Sequence, residues 1–158
     1  MHRPGRAFAR ILAAMPDPIE TLAGRIATLR GGNLAPQRGW TLAQAIAHCA
    51  QSIECSMTGY PELRSVLFRV TIGPLAKRKF LRDRKMSHDV SAPVPGAPPI
   101  DPSIALDAAC DRADAALRSF TAFDGTLAPH LAYGRCTKPE YAQLHLLHFE
   151  DHARAFGV

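Results

Sequence analysis

Three histidines, His145, His148 and His152, lie close together in the C-terminal sequence LHLLHFEDHARAFGV. On a helix each residue advances by about 100°, so the three imidazoles fall within roughly 60° of one another. A single inward histidine is commonly a hydrogen-bonded core residue, but three on one face each need a polar partner or a metal ion. The same sector carries the aromatic residues Tyr141, Phe149 and Phe156, and the opposite side carries Gln143, Glu150 and Arg154.

Spacing restricts which of these histidines could share one metal ion. His148 and His152 are four residues apart, the spacing of paired helical metal ligands, and His145 with His148 is a second workable pair. His145 and His152 are separated by roughly 10 Å along the helix axis, too far to share an ion. We prefer His148 with His152. His145 is then either a hydrogen-bonding residue near the site or a core histidine.

A third ligand has to come from another element, and His48 is the candidate. Residues 41–59 contain no Lys or Arg and one acid, Glu54, whereas solvent-exposed helical faces usually carry charge. A neutral polar face is typical of an internal cavity, although an exposed His48 is the alternative. From spacing alone, a metal site and a purely structural role are equally supported. The residues sharing the face of His48 are Gln44, Gln51, Ser52 and Cys55.

Apolar periodicity and capping signals divide the chain into helices. Capping boxes at Thr41 and Thr137 predict two helix starts, and Gly73-Pro74 predicts a kink or break. Residues 86–100 are proline-rich and predict a long crossover loop. No strand pattern occurs, so we predict an all-α four-helix bundle with one long crossover. The predicted helices cover residues 17–30, 41–58, 62–83, 101–123 and 138–156.

The composition is that of one globular domain. Of the 158 residues, 47% are hydrophobic and 21% are charged, and we assign residues 17–158 to the bundle and 1–16 to a flexible N-terminal tail. No apolar run is long enough to cross a membrane. The four cysteines form no CxxC pair and lie mostly in helical stretches, which indicates free thiols and a reducing, cytoplasmic compartment.

The net charge of +5 comes largely from the run KRKFLRDRK at residues 77–85. This run could bind nucleic acid, or it could be a solvated helix end. Phe80 is the one aromatic residue in it and no DNA-reading motif is present, so we favour the solvated helix and expect no nucleic-acid partner.

Four blocks of the sequence resemble a known family in the same order. From about residue 18, the chain is similar to the family called domain of unknown function 1569, within the DinB/YfiT-like superfamily, whose members are regarded as metalloenzymes. The resemblance implies a four-helix bundle with an up-down-down-up course. It also implies a divalent ion held by His48, His148 and His152. Imidazole ligands suit zinc, nickel, iron and copper, of which we expect zinc or nickel. The blocks are GWTLAQAIAHCAQSIECSMTGYP, KMSHDVSAPVPGAPPI, PHLAYGRCTKPEYAQLHLLH and HARAFGV.

The C-terminal block departs from the family's common pattern HxxHHLRQF at two positions. This chain reads HFEDHARAF, with Asp151 in place of a histidine and Ala155 in place of a glutamine. We expect both positions to lie behind the ligands or on the surface. The change therefore affects substrate preference more than metal binding.

Three neutral imidazoles leave a divalent ion with an open position, which is the ligand count of a catalytic site. Such an ion brings the pKa of a bound water or thiol near neutrality. By analogy with thiol S-transferases of the superfamily, we expect a transferase or hydrolase acting on a small molecule, with a low-molecular-weight thiol as partner. Bundles of this type often form homodimers. The alternatives are a non-catalytic metal-binding or structural bundle and, third, a nucleic-acid-associated protein.

Several other residues could assist the site. His130 and Tyr133 lie in the loop PHLAYG, where exposed positions are more common, although the family motif favours a role. Glu54 lies about 120° from His48 around the helix, which makes it a poor ligand, and Cys55 is better explained as a packed thiol. The histidines without an assigned role are His2 and His88.

Overall fold

A computed structural model describes residues 16–35 and 39–158. Within these ranges the structure is all-helical: it contains no strand, and one isolated antiparallel bridge joins His130 to Gly134. No described helix is long and apolar enough to span a membrane. The predicted tail lies outside the described residues except for Pro16. The helices are α1 (Pro18–Leu29), α2 (Leu42–Thr58), α3 (Val66–Val70), α4 (Ile72–Asp83), α5 (Leu106–Ala122) and α6 (Lys138–Arg154).

Local capping sets the starts of the two helices that carry the histidine candidates. Thr41 Oγ1 accepts a hydrogen bond from the Gln44 backbone N–H, and Gln44 Oε1 accepts one from the Thr41 N–H. Thr137 and Glu140 form the same reciprocal pair at the start of α6. Both predicted capping boxes are confirmed, and each satisfies two N–H groups that would otherwise be unpaired.

The helix predicted over residues 62–83 is shorter and divided. It begins at Val66 and breaks at Thr71, two residues before the expected position, which separates α3 from α4. Pro74 consequently lies in the first turn of α4, where a residue without an N–H is tolerated.

The helix predicted over residues 101–123 begins five residues late, at Leu106. The carboxylate of Asp101 accepts hydrogen bonds from the backbone N–H and the hydroxyl of Ser103, at 2.8 and 2.7 Å. This local turn competes with helix formation and delays the start of α5. The ends of α1 and α6 differ from the prediction by one or two residues.

Four helices, α1, α2, α5 and α6, surround the main apolar core. The contact between α2 and α5 is the most extensive, α1 packs on α5 and α6, and α6 also packs on α2. Tyr141 is fully buried, which confirms that the aromatic face of α6 points inward. Burial of these apolar side chains is the main stabilising contribution to the fold. The buried seam of α5 consists of Cys110, Ala113, Leu117 and Phe120.

The crossover between α4 and α5, residues 84–105, lies against α2 and α6. Gln51 on α2 donates a 2.9 Å hydrogen bond to the Pro98 carbonyl. Arg154 at the end of α6 donates a 2.6 Å hydrogen bond to the carbonyl of Met86, whose side chain is buried. These contacts hold the loop across the two helices that carry the candidate ligands.

Candidate metal centre

His48 on α2 and His148 and His152 on α6 meet at one point. Nε2 of His148 lies 3.3 Å from Nε2 of His48 and 3.2 Å from Nε2 of His152. One ring nitrogen from each residue lies within 4.8 Å of the other two. Spacing on α6 allowed either His145 with His148 or His148 with His152 as a ligand pair. The structure brings His148 and His152 together, with His48 beside them.

This donor set fits a divalent ion. Nitrogens bound to zinc at about 2.0–2.1 Å with tetrahedral angles are ~3.3–3.4 Å apart, close to the observed separations. A ring nitrogen offers either one N–H or one lone pair, so Nε2 of His148 can make only one good hydrogen bond with its two neighbours. The three-histidine group could therefore hold a metal ion, which satisfies all three nitrogens together.

Burial keeps these imidazoles neutral. Desolvation, with a smaller contribution from His88, lowers the pKa of His48 to about 4. Desolvation and the neighbouring His48 and His88 lower the pKa of His152 to about 2. The pKa of His148 is lowered well below its usual value, again chiefly by desolvation. Neutral imidazole is the form that binds metal ions, so the group is competent at neutral pH.

The structure adds a fourth imidazole, His88, to which its sequence context assigned no role. Nε2 of His88 lies 3.3 Å from Nε2 of His152, and its ring centroid is 4.8 Å from that of His148. The proline-rich segment around His88 has no helical periodicity that could place it. The only available signal was that it lies in KMSHDVSAPVPGAPPI, one of the blocks that resemble the family.

Asp151 and Trp40 complete the surroundings of the histidines. Asp151, expected behind the ligands or on the surface, is buried and contacts both His88 and Arg154. The ring of Trp40 lies 4.9 Å from that of His48 and is parallel to that of His152 at 6.1 Å. Trp40 immediately precedes the capping box of α2, and this capping places it beside the first candidate ligand.

A cavity of about 440 Å³ opens beside the histidine group. His48, His88 and His148 lie in its wall, next to apolar side chains from α6 and the loops. A volume of this size accommodates a small organic molecule. The apolar part of the wall includes Met86, Pro93, Val94, Leu131 and Leu144.

The remaining candidates, His145, His130 and Tyr133, all border the cavity, and His145 is also part of the buried interior. Nε2 of His145 lies 3.3 Å from Ser56 Oγ in the interior, as expected of a hydrogen-bonded core histidine. Nδ1 of His130 accepts hydrogen bonds from the backbone N–H groups of Ala132 and Tyr133, at 3.1 and 3.2 Å. His130 and Tyr133 are half-buried and line the cavity, so the more exposed position expected for them is wrong.

Two residues near His48 in sequence are engaged elsewhere. The carboxylate of Glu54 accepts hydrogen bonds from Nε and Nη2 of Arg112, at 2.9 and 2.7 Å. Cys55 is buried against Tyr60 and Val94, and burial raises the pKa of its thiol. Neither belongs to the histidine group. All four cysteines are free thiols.

The basic run at residues 77–85 is partly neutralised within the described structure. Lys77 is buried and lies 3.0 Å from the carboxylate of Glu140. Asp83 pairs with two further cations of the run. These contacts pair three of the six basic residues of the run with carboxylates. The two ion pairs inside the run are Lys79–Asp83 and Arg82–Asp83, each at 2.7 Å.

Comparison with known proteins gives one match. A family model described as "Protein of unknown function (DUF1569)" matches residues 17–157, which is nearly the whole chain. No curated protein and no solved structure matches it.

Proposed function

The chain belongs to the DUF1569 family, and we propose that it is a divalent-metal-dependent enzyme acting on a small molecule. One observation carries the proposal: three imidazoles converge at one point, and two of them, His48 and His148, lie in the wall of a cavity of about 440 Å³. Structural metal sites are closed by protein ligands, whereas catalytic sites keep access for a substrate. We propose zinc or nickel as the ion, because imidazole is a suitable ligand for both.

We further propose that α1, α2, α5 and α6 form a DinB/YfiT-like four-helix bundle with an up-down-down-up course. Each of these helices packs against two of the others, as the helices of a closed bundle do. The long connection between α4 and α5 supports the proposal, since a bundle with two parallel neighbours needs such a crossover.

His48, His148 and His152 would hold the ion through their Nε2 atoms. A divalent cation held by neutral ligands supplies Lewis acidity and lowers the pKa of a water or thiol beside it. The chain contributes shelter from bulk water, because Trp40 lies against His48 and the crossover loop lies across α2 and α6. The burial that lowers the histidine pKa values also keeps the ligands unprotonated at neutral pH.

His130 would orient the substrate. Its Nδ1 accepts two backbone hydrogen bonds, so the ring proton is on Nε2. Desolvation lowers the pKa of His130 to about 3, which keeps the ring neutral and its tautomer constant. Together with Arg64 in the same wall, this donor favours a substrate with a carbonyl or anionic group. The reaction we propose is transfer of a low-molecular-weight thiol to an electrophilic small molecule, or hydrolysis of such a molecule.

A non-catalytic metal-binding bundle is the second candidate. It is favoured by His88, because a fourth imidazole beside the three others could fill the position that a catalytic ion keeps open. Bound metal without any turnover would support this second candidate over the first.

Metal analysis of protein prepared without a His-tag tests the proposal. We expect about one ion per chain in the wild type and its loss in His148→Ala, because two ligands hold an ion poorly. His145→Gln is the matched control, since His145 lies on the same helix but contacts Ser56 instead. Metal-loaded protein is then assayed with thiols and electrophiles. A wild type that takes up neither zinc nor nickel refutes the site.

A further inference from the structure

We propose that His88, which lies beside the mutually close group of His48, His148 and His152, is a fourth protein ligand of the same centre, supplied by the crossover loop. This inference rests on the proposed metal site, and catalysis there then requires the loop to withdraw His88 or the ion to accept a fifth ligand. Nε2 of His88 lies 3.3 Å from Nε2 of His152, the separation found between His48 and His148. Its ring centroid is 4.8 Å from that of His148 and 5.0 Å from that of His152. His88 therefore faces the group with the same atom as the other three histidines.

Asp151 lies on the Nδ1 side of the His88 ring, away from the centre. Its Oδ2 atom lies 2.6 Å from His88 Nδ1 and accepts a 2.8 Å hydrogen bond from the His88 backbone N–H. Metal-binding histidines usually present their second ring nitrogen to a carboxylate or carbonyl group in this way, which directs the lone pair of the other nitrogen toward the ion. Asp151 also pairs with Arg154, which bonds the loop at Met86. The carboxylate thus holds the backbone of His88 and, through Arg154, the neighbouring part of the loop.

A hydrogen bond between His88 and His152 competes with metal binding for the same ring nitrogens. When the proton of His88 is on Nδ1, facing Asp151, its Nε2 carries a lone pair. His152 would then have to donate from its own Nε2, and that nitrogen would no longer be available to an ion. Two lone pairs 3.3 Å apart repel each other unless a proton or a cation lies between them, and in the proposed site the cation takes the place of the proton. The proposed three-histidine site therefore implies that His88 also contributes its Nε2.

The origin of this ligand distinguishes it from the other three. His48, His148 and His152 are on helices, whereas His88 is on a loop that lies in the cavity wall. Metal binding is consequently coupled to the position of residues 84–105. Removal of the ion is expected to free this loop while the helices remain paired.

Titration of the full-length, metal-free protein with Co²⁺ tests the inference, with the absorption spectrum as the readout. We expect His88→Ala to bind Co²⁺ at least roughly 10-fold more weakly and with a changed spectrum, because the coordination changes. Asp151→Asn retains an oxygen for the His88 N–H but loses the charge, and should weaken binding by about 10–100-fold. Lys85→Ala, an exposed change in the same loop, should match the wild type.

The outcomes separate this inference from the proposed function. If His88→Ala is folded by circular dichroism and keeps the wild-type affinity and spectrum while His148→Ala loses binding, the inference is overturned and the three-histidine site stands. If wild-type protein does not bind Co²⁺, both fail. Reduced affinity in His88→Ala and Asp151→Asn, with Lys85→Ala unchanged, establishes His88 as a ligand.

Discussion

The metal-free protein should lose stability steeply as the pH falls below the pKa of an unperturbed histidine. His48, His145 and His152 are 4%, 4% and 3% exposed. Desolvation is the main cause that lowers the pKa of these residues, to about 4, 3 and 2 respectively. The unfolded chain, in which histidine has a pKa of about 6.5, therefore binds more protons than the folded chain in this range. The stabilisation that depends on these neutral histidines is complete above the pKa of histidine in the unfolded chain. It decreases as the pH falls through that pKa.

The magnitude follows from proton linkage. Between pH 7.5 and 5.5, each histidine that stays neutral in the folded state reduces the free energy of unfolding by about 1.4 kcal/mol. These three residues alone reduce it by about 4 kcal/mol, a large part of the roughly 5–15 kcal/mol typical of a domain. His130 and His148, whose pKa values are also lowered by desolvation, add to this decrease. The decrease continues toward about pH 4, where the folded state also begins to bind protons at His48.

Urea unfolding with a metal chelator, followed by circular dichroism at pH 7.5, 6.5 and 5.5, measures this decrease. His145→Gln provides the internal test, because it removes one titrating group without touching the proposed ligands. Its pH-dependent loss of stability should be about 1.4 kcal/mol smaller than that of the wild type, whatever its stability at pH 7.5. A wild-type free energy of unfolding that changes by less than about 1 kcal/mol across this range would show that burial of the imidazoles does not control their protonation.

Two further perturbations test the packing that positions the site. A Cβ at Gly73 would lie 2.1 Å from the Ala132 carbonyl oxygen, so Gly73→Ala should lower the free energy of unfolding by about 1–3 kcal/mol or more. Gly24→Ala, where the added Cβ meets nothing within 4 Å, should instead raise it by about 0.5–1 kcal/mol through helix propensity. Equal effects at the two glycines in thermal unfolding would contradict this packing. Arg112→Ala should cost only about 0.2–1 kcal/mol, because its ion pair with Glu54 is about one-third exposed; a double-mutant cycle with Glu54→Gln that gives a coupling above this range would contradict that estimate.

The helices and the three-histidine group were predictable because the rules behind them are local. A capping box needs residues three apart, as at Thr41 and Thr137, and helical periodicity places His148 and His152 on one face without knowledge of the rest of the fold. Even the third ligand, His48, had a local signal in the neutral polar face of α2. Helix boundaries were less accurate at Leu106, where a short turn at Asp101 competes with the helix.

The amino-acid sequence by itself determined the helical class, the inward face of α6 and the candidacy of His48, His148 and His152. Only the tertiary structure placed His88 beside the other three histidines, formed the cavity and buried Asp151. The contact between His88 and Asp151 joins residues 63 positions apart, and no periodic pattern relates them. A loop takes its position from the surfaces on which it packs, whereas a helix takes its geometry from its own backbone hydrogen bonds.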